Sequence, residues 1–211
     1  MPQIAHRMAY AGLKKLKSVA PPRALMASKP KVVFDVNFFD FRYECGWKIP
    51  ENHPICRSVR EWVYSIERGD VEAIVPSGVE EVLAYKNLKK GRDDAYAGLR
   101  GLPVKREQFE DPIISWMQAM TSRGVKECLG SADEESSECA RLIDREDLAI
   151  YAQASKAGAD YIVTGDRAWY RCQHFFREAC RCLEEAGERR ACGAKLPRII
   201  PITKPPGEAL R

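Results

Sequence analysis

"DLAIYAQASKAGADYIVTGDRAWY" (147–170) changes character twice within 24 residues. It starts as an Ala-rich segment with Leu148, Ile150, Tyr151 and Ala154 at helical spacing, and Gly158 ends it. "YIVT" (161–164) follows, four β-branched and aromatic residues too few for a helix, and the run stops at Gly165-Asp166. The order is helix, buried strand, then a carboxylate just beyond the strand's C-terminal end. That is half of a βαβ unit and points to a parallel sheet.

The same alternation runs along the chain. "KVVFDVNFF" (31–39) reads as a first buried strand ending in Asp35 and Asn37. "ICRSVREWVYSIERG" (55–69) reads as a helix, "VEAIVPS" (71–77) as a second strand, and "GVEEVLAYKNLKKG" (78–91) as the helix after it. A short third strand is expected near Val104, a helix over 108–124, and an acid-rich stretch over 131–147. One long helical segment is expected after Asp166 to about Gly187, with "RIIPIT" (198–203) as a last strand. Residues 31–211 are therefore expected to form one α/β domain, with a mainly parallel central sheet between helical layers.

Composition narrows the class. In a 211-residue chain, 45% hydrophobic and 30% charged residues describe a folded protein. The net charge of +4 permits a polyanionic partner without demanding one. Eight cysteines fall below the density of a disulfide scaffold, so the expectation is reduced thiols in a cytoplasmic chain. No apolar stretch approaches membrane-spanning length. Residues 1–30 contain no Asp or Glu but carry Arg7, Lys14, Lys15, Lys17, Arg23 and Lys29. They read as a basic N-terminal extension, with organelle targeting as the lesser alternative.

Ligands of parallel sheets bind beyond the carboxyl ends of the strands. Asp35 and Asp166 each follow a strand. Glu80 or Glu81 opens the helix after the second strand, and Asp147 opens the helix that leads into the "YIVT" strand. Four acids from four segments thus face one edge. Crowded carboxylates raise one another's pKa, and a hard divalent cation relieves the repulsion. Without a nearby histidine, carboxylate oxygens favour Mg²⁺ or Mn²⁺ over zinc. "CQHFFREACRC" with Cys192 offers a zinc alternative, but no pair there has Cys-x-x-Cys spacing.

Taken together, "VVFDVNFF", "VPSGVEEVL", "DLAIYAQASKAGADYIVTGDRAWY" and "IIPITKPPGEAL" resemble the successive signatures of a PIN domain, as in VapC-like toxin ribonucleases. The likeness extends over about residues 31 to 210 and includes the Pro206-x-Glu208-x-Leu210 tail. It implies a three-layer α/β/α sandwich and Mg²⁺- or Mn²⁺-dependent cleavage of single-stranded RNA, with one or two ions. By that resemblance Asp35, Glu81, Asp147 and Asp166 form the acidic site, with Glu80 the alternative to Glu81. Asn37 and Thr164 orient it, and Asp144 reads as a helix cap.

The basic and aromatic residues beside the site suggest RNA contacts: Arg167 and Arg171 first, then Lys89 and Lys90. Trp169 and Tyr170 offer rings for stacking on bases, whereas Phe175 and Phe176 read as core. Single-stranded or structured RNA is the expected partner. A protein antitoxin and a homodimer are further partners the resemblance brings with it, and a housekeeping RNA-processing role stays open. The rival is a catalytically inactive PIN scaffold that binds RNA or protein. A haloacid dehalogenase-type phosphohydrolase fits poorly, because Asn37 stands where that chemistry wants a second Asp.

Overall fold

The computed structural model of the chain describes residues 28–90, 97–108, 128, 134–186 and 192–211. The basic extension up to residue 27 and all but the first residue of the helix expected over 108–124 lie outside the described residues. The strands are β1 (Lys31–Phe34), β2 (Glu72–Pro76), β3 (Lys105–Glu107), β4 (Tyr161–Thr164) and β5 (Arg198–Pro201). They form one all-parallel sheet in the order β3-β2-β1-β4-β5.

The described helices are α1 (Val36–Glu44), α2 (Pro54–Glu67), α3 (Ser77–Lys90), α4 (Glu134–Leu142), α5 (Arg145–Lys156), α6 (Arg167–Arg171), α7 (Gln173–Glu185) and α8 (Pro206–Ala209). Together with the sheet they make the expected three-layer α/β sandwich. Val32, Val33, Phe34, Ile162 and Val163 are fully buried, as central parallel strands covered on both faces require.

Two aromatic clusters stabilise the layers. Phe34 of β1 lies 4.4 Å from Phe38 of α1 and 5.6 Å from Trp62 of α2, centroid to centroid. Phe176 of α7 packs 4.7 Å from Tyr151 of α5 and 4.9 Å from Trp169 of α6. Such ring pairs contribute roughly 0.5–1.5 kcal/mol each beyond the area they bury. Ser58 and Trp62 of α2 donate side-chain hydrogen bonds to the carbonyls of Ile202 and Lys204, docking the C-terminal segment.

The structure corrects three expectations. β1 ends at Phe34, and α1 begins at Val36 rather than the strand continuing to Phe39. The cause is Asp35, whose carboxylate accepts from the Val36 N–H at 2.6 Å and so caps a helix in the middle of an apolar run. The segment after Asp166 is two helices, not one, with the break at Cys172.

The third correction concerns the cysteines. All eight are paired, as Cys45–Cys56, Cys128–Cys182, Cys139–Cys172 and Cys180–Cys192. Their Cα separations of 5.6, 5.7, 5.6 and 5.8 Å lie where a disulfide forms without backbone movement. Density along the chain cannot reveal that residues 54 or 33 positions apart meet in space. Reduced thiols therefore no longer support a cytoplasmic location. Among the described residues no helix is long and apolar enough to cross a membrane.

Candidate metal centre

The sheet order decides where a site can form. The chain passes from β1 outward to β2 and β3 on one side, then returns to β4 and β5 on the other. The switch point lies between β1 and β4, where helices leaving the two strands open a crevice. Asp35 directly follows β1, and Asp166 follows β4 by two residues.

Four polar groups tie the two strand ends together. The Thr164 hydroxyl donates to Asp35 Oδ2 at 2.8 Å and accepts from the Asp166 N–H at 3.0 Å. Asn37 Oδ1 accepts from the Gly165 N–H at 2.6 Å, and its Nδ2 lies 3.4 Å from Thr164 Oγ1. Gly165 is required by this approach, since a Cβ there would stand 2.5 Å from the Phe41 ring. Thr164 is fully buried and Asp35 is only 5% exposed, so the network is held away from solvent.

Asp147 enters from α5. It sits at N3 of that helix, in a capping box with Asp144: Asp147 N–H donates to Asp144 Oδ1 at 2.9 Å, and Asp144 N–H donates to Asp147 Oδ2 at 3.2 Å. Asp144 is thus the N-cap, as the sequence suggested. The Trp169 indole slightly opposes the rise at the Asp147 carboxyl. Trp169 is fully buried against Phe176, so it packs in the core instead of stacking on bases.

The electrostatics show the crowding. Burial pushes the Asp35 carboxyl up to about 6; Asp166 raises it further, while Thr164, the Val36 N–H and Lys86 oppose the rise. Burial pushes Asp147 up to about 8, with the charges of Asp144 and Asp35 adding to it. A capping carboxylate on an ordinary exposed helix shows no such rise, because helix N–H groups favour its charged form. The Asp166 charge thus reaches Asp35, and the Asp35 charge reaches Asp147, although Asp35 and Asp166 are also N-caps and Asp147 is the N3 member of a capping box. Asp166 accepts from the Ala168 N–H at 2.7 Å and is otherwise exposed.

The trio is open. Its carboxylate oxygens do not all approach within 4.8 Å of one another; among the described residues only Cys128, Glu178 and Cys182 do so. Both sulfurs of that second group belong to one disulfide, which removes the thiolates a soft metal needs. The zinc alternative at Cys172, Cys180, Cys182 and Cys192 fails for the same reason. An open set of oxygen ligands does fit Mg²⁺ or Mn²⁺, which retain several waters and use few protein carboxylates.

Glu81 is exposed on α3, and its carboxylate is not among the groups that shift Asp35 or Asp147. Glu80 is drawn toward β3, where Arg106 Nε stands 3.1 Å from it. Arg167 is exposed at the start of α6. Arg171 is exposed as well and lies 3.4 Å from Glu138. The side chains of Lys89 and Lys90 lie outside the described residues.

Sequence reasoning missed Lys86. Its Nζ lies 2.7 Å from Asp40, and its charge opposes the rise at Asp35. No spacing in the sequence pairs them, because Asp40 and Lys86 stand 46 residues apart on two different helices. The clefts that flank exposed Tyr64, lined by Arg42, Glu51 and Arg60 on one side and by Arg68, Pro206 and Leu210 on the other, contain none of the acids.

Comparison with family models, with curated proteins and with solved structures finds no match.

Proposed function

We propose that this chain is a PIN-type endoribonuclease that hydrolyses phosphodiester bonds of RNA with Mg²⁺ or Mn²⁺. The observation that carries the proposal is the convergence of Asp35, Asp147 and Asp166 at the β1/β4 switch point, with two of the carboxyls pushed up to about 6 and about 8. Carboxyls raised chiefly by burial, and further by one another's charge, at the carboxyl edge of a parallel sheet support a functional centre there. Asp35, Asp147 and Asp166 would hold the cation, and Glu81 is proposed as the ligand from α3. When bound, it lowers the pKa of a coordinated water and neutralises charge on the phosphate.

The chain's own residues would do the rest. The Thr164 hydroxyl and the Val36 N–H each hold one oxygen of Asp35, fixing the direction of its carboxylate. Asn37 holds the Gly165 turn, which presents Asp166. Arg167 adjoins Asp166 on the exposed side and is the proposed contact to a substrate phosphate. Tyr170, 36% exposed one turn further on, offers a ring for an unpaired base.

A second reading, a non-cleaving RNA-binding scaffold, is favoured by one fact: Asp35 and Asp166 are N-caps and Asp147 completes the capping box of α5, so all three have a structural use without a metal. Incubating a labelled single-stranded RNA with the protein in Mn²⁺ and in EDTA separates the two. Cleavage in Mn²⁺ that disappears in EDTA and in Asp35→Asn is the expected result. RNA retained intact by both proteins in both buffers establishes the scaffold.

A further inference from the structure

One buried polar side chain has no place among the acids. Gln153 of α5 is 2% exposed. Its Oε1 accepts from the Gly78 N–H at 2.8 Å, and its Nε2 donates to Ser77 Oγ at 3.3 Å. Both partners belong to the first turn of α3, some 75 residues earlier in the chain. The Gly78 N–H, a donor, fixes the amide's orientation.

The first turn of a helix carries N–H groups with no partner inside the helix. Most helices satisfy one from their own N-cap side chain. α3 begins at Ser77, directly after β2 ends at Pro76, and Gln153 supplies an acceptor from a different helix. Gly78 is buried, so losing that acceptor leaves a buried donor without a partner.

The two helices joined in this way are the ones that bear acids. α3 carries Glu80 and Glu81 within a turn of Gly78. α5 carries Asp147, about 9 Å along the helix from Gln153 at 1.5 Å per residue. We infer that Gln153 is a positioning residue of the acidic site: it locks the start of α3 onto α5 and so sets the spacing between the α3 carboxylate and Asp147. This role rests on the metal-dependent activity proposed for the chain. Partners that orient metal ligands without touching the metal typically change its affinity by about 10–100-fold when removed.

Three variants of the full chain test the inference. Gln153→Met keeps the length and removes both hydrogen bonds. Gln153→Glu keeps an acceptor for the Gly78 N–H, and the Ser77 hydroxyl turns to donate. Ser77→Ala removes the weaker bond alone. Metal-free hydrogen exchange at Gly78 and Val79 reports the bond itself, and thermal stabilisation by Mn²⁺ reports metal affinity without catalysis.

Gln153→Met is expected to speed exchange at Gly78 about fivefold or more and to raise the Mn²⁺ concentration for half-maximal stabilisation about tenfold. Cleavage at saturating Mn²⁺ should return close to wild type, and Gln153→Glu should restore most of the affinity. Gln153→Met with faster exchange but an unchanged Mn²⁺ midpoint overturns the positioning role and leaves Gln153 a structural cap. If Gln153→Met does not fold, Ser77→Ala decides: a raised Mn²⁺ midpoint supports the role, an unchanged one overturns it. A wild-type chain that Mn²⁺ does not stabilise at all overturns the metal reading itself, and the assignment of Gln153 with it.

Discussion

At the scale of single residues, burial and repulsion leave Asp35 and Asp147 with folded-state carboxyls raised to about 6 and about 8. A raised pKa means that the fold binds the proton more tightly than the unfolded chain does. The stabilisation is fully present below the ordinary carboxylate range and is lost as pH rises through about 6 and then about 8. For Asp35 alone it is about 3 kcal/mol. In EDTA, the melting temperature should therefore fall between pH 5 and pH 9, and saturating Mn²⁺ should recover most of the loss at the alkaline end. Asp35→Asn should flatten the lower part of the metal-free profile and abolish cleavage. A flat wild-type profile would show that neither burial nor repulsion raises these two carboxyls in the fold.

The two glutamates differ at the same scale. Adjacent helical residues point about 100° apart, and Glu80 is already engaged by Arg106. Glu81→Gln should lower cleavage by at least about tenfold, and Glu80→Gln should act mainly on stability, by less than about 1 kcal/mol. Side-by-side rates and melting curves check this, and a reversed order would move the α3 ligand to Glu80. Asp35, Asp147, Asp166, Asn37 and Thr164 were all legible as site candidates, because each stands at a strand end or helix start. The place of Trp169 was not: the sequence offers it as a ring for stacking on bases, and the structure buries it against Phe176 of α7, a contact that the sequence does not record.

At the scale of elements, strands and helices followed from apolar period, and what was missed came from caps. α1 begins inside a run that alternates apolar residues with Asp35, Asn37 and Asp40, and a short helix set off by one capping side chain carries little periodic signal. The same economy governs α6, a five-residue helix capped by Asp166. Asn can accept from the Ala168 N–H as Asp does but brings no charge. Asp166→Asn should therefore change metal-free stability by only a few tenths of a kcal/mol, while Mn²⁺ stabilises the variant less than it does the wild type. Thermal shift with and without Mn²⁺ checks this. A large metal-free loss with full Mn²⁺ stabilisation would make Asp166 a helix cap and nothing more.

At the scale of the whole molecule, the disulfides bind the site's segments into one body. The ring closed by Cys139–Cys172 contains Asp144, Asp147, Thr164 and Asp166, and both of its cysteines are buried, at 4% and 1% exposure. Burial shields the bond from reductants, so it acts as a permanent staple rather than a switch. A loop closed over 33 residues contributes about 3–4 kcal/mol by restricting the unfolded chain. Disulfides in such number belong to oxidising compartments or to the intracellular proteins of hyperthermophiles. Protein purified without reductant and unfolded in denaturant should offer no thiol to an alkylating reagent, and all eight after reduction. Cys139→Ser with Cys172→Ser should lower unfolding free energy by about 3 kcal/mol. It should also weaken Mn²⁺ stabilisation, because the cross-link that closes the ring carrying Asp147 and Asp166 is gone. Eight reactive thiols before reduction would return the molecule to a reduced cytoplasmic setting and remove the staple; a double variant as stable as wild type would show that packing of Trp169, Phe176 and Tyr151 holds those segments unaided.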